Sequence, residues 1–406
     1  MISFRAKETF AALQHPNYRL WFIGQLVSLV GTWMQSTAQG FLVFDLTHSP
    51  AFLGYVSFAA GIPTILLTLF GGLIADRISK RKLLIITQSM MMVLAAVLAV
   101  LAFTHTVQPW HIIALSFMLG ATNAFDTPAR QSFVAELVER KDLTNAIALN
   151  ATMFNLGVVV GPAVAGVVYA LLGPGWCFTI NSISFIAVIV ALGKMKLGYM
   201  PIPERRPPLQ DLKEGFNAAF SNRTISILLA NLAIVGAFGF GILVLVPAWS
   251  VEVLHGNVTT NGALLSARGF GSLIGGLMVA TLGSRGFRGR MYTIGSFVLP
   301  VAVLIFGFAR WIPFSLLMLA AAGWGLILLV NISNTLIQSL ASDHLRGRVM
   351  SFYSLIFMGG NTIGGLLAGM LADLINEPVA VYIFAGILAL MAVATYTLRP
   401  FVRHLN

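Results

Sequence analysis

Twelve apolar runs, each close to the length needed to cross a bilayer as a helix, constrain this chain more than any other feature. They cover residues 20–44, 51–75, 83–103, 110–128, 145–172, 175–193, 224–249, 261–282, 291–308, 312–338, 349–371 and 378–398. A hydrocarbon core of roughly 30 Å takes about 20 helical residues, so the expected fold is all-α and integral to a membrane, with twelve transmembrane helices. The composition agrees, because only 10% of the residues are charged and 57% are hydrophobic, outside the range of soluble globular chains.

The formal charge of +11 is not the footprint of a nucleic-acid binder, which needs a basic face on a folded soluble domain. Here the cations sit between apolar runs. The N-terminus, the links after spans 2, 4, 6, 8 and 10, and the C-terminus hold all but two of the 25 Lys and Arg residues, the exceptions being Arg268 and Arg310. Excess Lys and Arg marks cytoplasmic segments, so both termini are expected in the cytoplasm and the chain in a cell membrane. Residues 1–19 carry Arg5, Lys7, Glu8 and Arg19 and are too polar for a signal peptide, so the first span is expected to remain. A lone cysteine, Cys177, gives no internal disulfide and no cysteine-based metal cluster.

The longest connection, residues 194–223, contains "PIPERRPPLQDLKEGF". Its prolines and mixed charges read as a cytoplasmic linker, with a short surface helix expected from Leu209 to Phe220. It separates 1–193 from 224–406, six spans from six, and the two halves repeat. "GGLIADRISKRK" (Gly71–Lys82) returns as "GGLMVATLGSRGFRGR" (Gly275–Arg290) at an offset of 204, without the acid. Gly157, Gly161 and Gly166 correspond to Gly360, Gly364 and Gly369 at 203, and Asn123, Asp126 and Arg130 to Asn331, Asn334 and Gln338 at 208. Two pseudo-symmetric six-helix bundles around a central path are expected from such a repeat, with the charged triad kept in one half and neutral in the other.

These residues resemble the major facilitator superfamily, in its twelve-span bacterial efflux branch that exports drugs and metabolites. In the motif after span 2, Gly72, Asp76, Arg77, Lys80, Arg81 and Lys82 match, while Ser79 stands where the family has a second glycine. "GVVVGPAVAG", with Gly157, Gly161, Pro162 and Gly166, is similar to the span 5 signature of the family's antiporters and exporters. Glycines there let another helix approach closely and Pro162 removes a backbone donor; ordinary helix packing is the plainer account of the same pattern. The resemblance implies alternating access, proton antiport, and a conformational gate of Gly72, Asp76, Arg77, Lys80, Arg81, Asp126 and Arg130, in which a span 4 acid joins the bases of the span 2 motif.

Candidates for the substrate cavity come from polar residues inside spans. Gln25, Ser28, Thr32, Gln35 and Gln39 are spaced 3, 4, 3 and 4 and share one stripe of span 1. Facing lipid would be costly, so the stripe is expected to face cargo or to tie helices together. Asn231, Asn331 and Asn334 are weaker candidates. Arg268 sits about 10 Å into span 8, where an arginine costs at least about 2.5 kcal/mol unless compensated; pairing with an outer acid such as Asp45 or Glu252 competes with cargo recognition. Asp126 lies about 24 Å along span 4, near its cytoplasmic end. No Asp or Glu occupies mid-membrane, leaving Asp126 first and Asp45 second as proton carriers.

An enzyme is not expected, and neither a cofactor nor a bound metal: the seven histidines show no H-E-x-x-H spacing, and no Walker A sequence is present. The expected function is secondary active export of small amphiphilic molecules, such as drugs or siderophore-like metabolites. The expected partners are the cargo, the lipid bilayer and protons, without nucleic acid, and the expected state is a monomer. An importer or facilitator, or a non-transporting receptor, are the rival readings.

Overall fold

The computed structural model describes residues 10–196, 220–282, 287–342 and 345–399 with Phe401 and Arg403, apart from the side chains of Leu69, Leu73 and Asp76. Twelve long helices follow one another in them. They are α1 (Pro16–Thr47), α2 (Pro50–Arg77), α3 (Lys80–Phe103), α4 (Pro109–Leu137), α5 (Leu143–Leu172) and α6 (Pro174–Lys194), then α7 (Arg223–Val253), α8 (Val258–Leu282), α9 (Arg288–Phe308), α10 (Ile312–Leu340), α11 (Arg346–Leu374) and α12 (Glu377–Leu398). The described residues contain no strand. Each apolar run lies inside one helix, and the helices extend past the runs because the segments beyond the hydrocarbon still continue the backbone ladder. The expected linker helix from Leu209 falls almost wholly outside the described residues.

Ten of these helices are long and apolar enough to cross a membrane on length and composition alone. The two that fall short, α1 and α4, are the ones that carry the glutamine stripe and the Asp126–Arg130 pair, so polarity, and not length, sets them apart. Exposed side chains elsewhere are apolar, as at Leu66, Leu171, Leu304 and Leu390, which suits faces turned to lipid. Prolines open α4, α6, α10 and α12, where the missing N–H has no helical acceptor in any case. The side chain of Asn222 caps α7 by accepting from Thr224 N at 3.0 Å.

Helix α7 is not a regular α-helix along its whole length. It widens into π-turns at Val235–Phe240 and Trp249–Val253 and tightens to a 3-10 segment at Gly241–Leu245. The cause is local: "VGAFGFG" brings three glycines, and Pro247 then withholds a donor.

Contacts divide the described residues into two units, one drawn from Met1–Gln39 and Pro63–Glu204, the other from Gly40–Ile62 and Arg205–Asn406. The boundaries therefore differ from a cut at the linker. Segment Gly40–Ile62 is covalently part of the first six spans but packs on α11, because a Cβ on Gly54 would lie 3.1 Å from the Gly365 carbonyl and one on Gly61 would overlap Thr362. The first unit's core includes Trp21, Leu84, Phe133 and Leu192. The second is built around Trp249, Leu299, Phe306 and Leu328.

The sequence repeat returns as a packing repeat. In the first unit Gly157 and Gly161 of α5 lie against Trp33 of α1, with no room for a Cβ at Gly161. In the second, Gly360 and Gly364 of α11 lie against Ala233 and Ala237 of α7, with no room at Gly364. Trp33 and Ala237 are themselves 204 positions apart, so both partners of the contact recur.

Leucine at either contact is overpacking, which costs about 1–3 kcal/mol. Gly161→Leu and Gly364→Leu should each lower the thermal midpoint of the detergent-solubilised protein. Gly72→Ala, where nothing stands within 4 Å of an added Cβ, should leave it unchanged. Equal midpoints in all three variants would refute the assignment.

Candidate functional site

At the end of the apolar run of α4, Asp126 and Arg130 stand one turn apart, the spacing at which helix side chains meet. Asp126 is 1% exposed. Its Oδ1 accepts from Thr87 Oγ1 at 2.8 Å and from Gln88 Nε2 at 2.9 Å, both on α3, and its Oδ2 lies 3.6 Å from Arg130 Nε. A buried carboxylate is tolerated only when its oxygens are met in this way. Both oxygens are engaged, so the charge locks α3 to α4.

The basic run after α2 is held within the same unit. Lys80 pairs with Glu136 in the last turn of α4. Arg81 donates to the Gly193 carbonyl at 2.7 Å and to that of Met195 at 3.2 Å, meeting carbonyls that the end of α6 leaves unbonded. Nearby, His15 lies 2.8 Å from Asp142 and Lys141 2.7 Å from Glu139. The hydrogen bond from Lys141, then its charge, holds the Glu139 carboxyl below the usual carboxylate range.

The expected gate is therefore corrected in part. Asp126 does not meet the bases of the span 2 motif; Glu136 does. Ten residues separate the two acids, about 15 Å along α4 and on a different face. Arg77 is exposed, Gly72 has open space around it, and the glycine pressed against α4 is Gly71, beneath the Ala124 carbonyl. The side chain of Asp76 lies outside the described residues. Thr87, Gln88, Glu136 and Gly71 were missed from sequence, although an adjacent polar pair inside the apolar span 3 was a visible signal.

The neutral copy of the triad keeps the geometry without the charge. On α10, Gln338 Nε2 donates to Asn334 Oδ1 at 2.6 Å, and Arg346 Nε donates to the Gln338 carbonyl at 3.0 Å. Asn331 is half-buried, and its carbonyl accepts from Thr335 Oγ1 at 2.9 Å.

Much of the polar stripe on α1 ties helices together. Gln39 donates to Ser116 of α4 at 2.7 Å, Asn181 of α6 donates to Gln35 at 2.7 Å, and Thr32 bonds the Ser28 carbonyl of its own helix at 2.9 Å. Gln25 is buried with its carbonyl oxygen unbonded. Asn231 likewise joins α7 to α9 and α12, donating to Tyr292 Oη at 3.0 Å and to Thr395 Oγ1 at 3.1 Å. The structure thus engages Gln35, Gln39 and Asn231 as interhelical links. In α5, Gly157 and Gly161 meet α1, and Pro162 and Gly166 are buried.

Two charges remain. Asp45 is exposed at the end of α1, so the buried acid among the proton candidates is Asp126. Arg268 is 9% exposed with its Nε unbonded. Among the described residues it forms no ion pair with Asp45, Glu252 or any other acid, contrary to the pairing considered from sequence; both of those acids are exposed at helix ends. The described residues hold no group of three or more His, Cys, Asp or Glu arranged for a metal ion.

A sequence profile described as transmembrane secretion effector matches residues 7–404. The chain is 27% identical over 360 residues to a staphyloferrin A transporter of Staphylococcus aureus, covering 87% of this chain and 89% of the relative. It is 26% identical to a multidrug efflux pump, Tap, of Mycolicibacterium fortuitum, covering 86% and 87%. In fold it is similar to the crystal structure of the nucleoside transporter NupG, with a TM-score of 0.74 and 14% identity over 94% of this chain and 98% of that one.

Removing Asp126 strands two buried donors, Thr87 and Gln88, and leaves the 26% exposed side chain of Arg130 without its acid. Asp126→Ala is expected to cost about 3–5 kcal/mol, whereas Lys80→Met, breaking a pair whose side chains are 21% and 20% exposed, should cost below about 1 kcal/mol. Thermal unfolding of the two purified variants checks the order, and a larger loss in Lys80→Met would reverse the assignment of which pair holds the bundle.

Proposed function

Because the chain belongs to the transmembrane secretion effector family of the major facilitator superfamily, we propose that it exports small amphiphilic molecules, drugs or siderophore-like metabolites, by proton antiport. Its relatives are membrane transporters and efflux pumps, not enzymes. In this reading it works as a monomer in a bacterial inner membrane, with both termini in the cytoplasm. The repeat divides it at the linker into bundles 1–193 and 224–406.

The observation that carries the coupling is Asp126, a carboxylate 1% exposed whose partners all come from α3 and α4, set against its uncharged copy at Asn334. Ionised, it holds Thr87, Gln88 and Arg130 together. A proton on Oδ1 turns an acceptor into a donor, so the bonds from Thr87 and Gln88 compete with a group that no longer accepts fully. The α3–α4 contact then loosens, and release of the proton restores it. One half of the transporter thus answers to protons while the other serves as a rigid frame. Asp45, exposed at a helix end, is the secondary proton site in this scheme.

The gate comprises Gly72, Asp76, Arg77, Lys80 and Arg81 with Arg130, and Lys80–Glu136 is its structural anchor. Asp76 is assigned to bind a helix end or base in one of the alternating states. The tight α1–α5 contact at Gly157 and Gly161 limits leakage beside the path, and Pro162 withholds one backbone donor within α5. Gln25, Thr32, Asn331 and Asn334 remain the proposed cargo contacts of the cavity, while Gln35, Gln39 and Asn231 act at its edge through the helices they join.

Everted membrane vesicles with an imposed pH gradient test the reading. The wild type should accumulate an amphiphilic dye only with the gradient, and Asp126→Asn should lose at least tenfold of the gradient-driven uptake while keeping dye exchange in its absence. Accumulation in right-side-out vesicles instead would make the protein an importer, and binding with no flux in either orientation would make it a receptor.

A further inference from the structure

Asn261, Leu264, Arg268, Gly271 and Gly275 are spaced 3, 4, 3 and 4, one stripe of α8. Three of them are seen against α10. Gly271 lies beneath the Ala320 carbonyl, a Cβ on Gly275 would stand 3.0 Å from the Trp324 carbonyl, and Gly323 makes room for the carbonyl of Arg268 and for its stem, whose Cγ would be 3.0 Å from a Cβ there. The glycine end of this seam is closed by backbone contact.

The polar end is different. Arg268 is 9% exposed and its Nε has no partner; Asn261 is 0% exposed and neither its amide nitrogen nor its amide oxygen has one. Side chains on a helix lean toward its N-terminus, which carries the guanidinium from Arg268 back toward Asn261, about 10 Å away at Cα. Buried polar groups in native proteins are almost always met, and two unmet ones on a single stripe mark a place for a ligand.

We propose that Arg268 and Asn261 form a binding site for a carboxylate whose neighbouring group both donates and accepts, a hydroxycarboxylate or an acylamino carboxylate. The planar fork of Arg268 takes the carboxylate. Asn261 offers a donor and an acceptor to the adjacent hydroxyl or amide. Gly323 positions Arg268 by letting its stem lie flat on α10. As a statement about cargo this rests on the export reading above; as a statement about a site it does not.

The test uses the full-length protein in lipid nanodiscs, with 5-carboxyfluorescein coupled through its 5-carboxyl to glycine, an acylamino carboxylate, as the acidic probe and rhodamine 123 as the cationic one, both read by fluorescence anisotropy. Arg268→Met should weaken binding of the glycine conjugate at least tenfold and rhodamine binding less than twofold, and Asn261→Leu should weaken the acid three- to tenfold. Arg268→Lys should recover part of the loss. Arg268→Met should also raise the thermal midpoint without probe, because an unmet buried charge is removed. Equal weakening of both dyes, a lowered midpoint in Arg268→Met, or a wild type with no saturable binding of the glycine conjugate would each overturn the site. Failure of export shows instead in vesicles that accumulate neither dye while nanodisc binding persists.

Discussion

The hydrocarbon core of a membrane offers nothing to hydrogen-bond with, and every feature of this molecule answers to that. Backbone groups are met within helices, which is why the described residues contain no strand. The same demand falls on side chains. Gln39 finds Ser116, Asn181 finds Gln35, and Asn231 finds Tyr292 and Thr395. In water such amides scatter over a surface; here each fixes one helix against another.

With lipid as apolar as leucine, burial of apolar area does not by itself drive helices together, so close packing has to. The glycines supply it. Gly161 against Trp33 and Gly364 against Ala237 bring backbones near enough that a methyl group has no space. Because the same contact occurs once in each unit, at positions about 203 apart, the repeat is an architecture and not a coincidence of composition. Segment Gly40–Ile62 follows its glycines to α11 in preference to its neighbours in the chain.

Against this background the two deep charges behave oppositely. Asp126 has a complete set of partners, two hydrogen bonds and a guanidinium, and so contributes to the bundle that holds it. Arg268 has a tight fit for its stem but an unmet Nε. One charge is compensated by the fold, and the other is not. In the scheme proposed above, the first controls packing by gaining and losing a proton and the second meets cargo.

The sequence by itself determined the twelve helices, the repeat, the family and the kind of work the protein does. Apolar length and the 3.6-residue period are local properties, readable without knowing any neighbour, and the span limits fell inside the observed helices throughout. The pairing of Asp126 with Arg130 was equally local, one turn along one helix. Tertiary structure alone decided which partners lie across helices. That Lys80 meets Glu136 and not Asp126, that Gly71 and not Gly72 carries the α2–α4 contact, that Gln35 and Gln39 bind helices, and that Arg268 has no acid all depend on which faces of neighbouring helices come together. A polar residue within a span announces that a partner is required. Its position along the chain does not say which helix supplies one, because rotation by a single residue turns a side chain about 100° to a different neighbour.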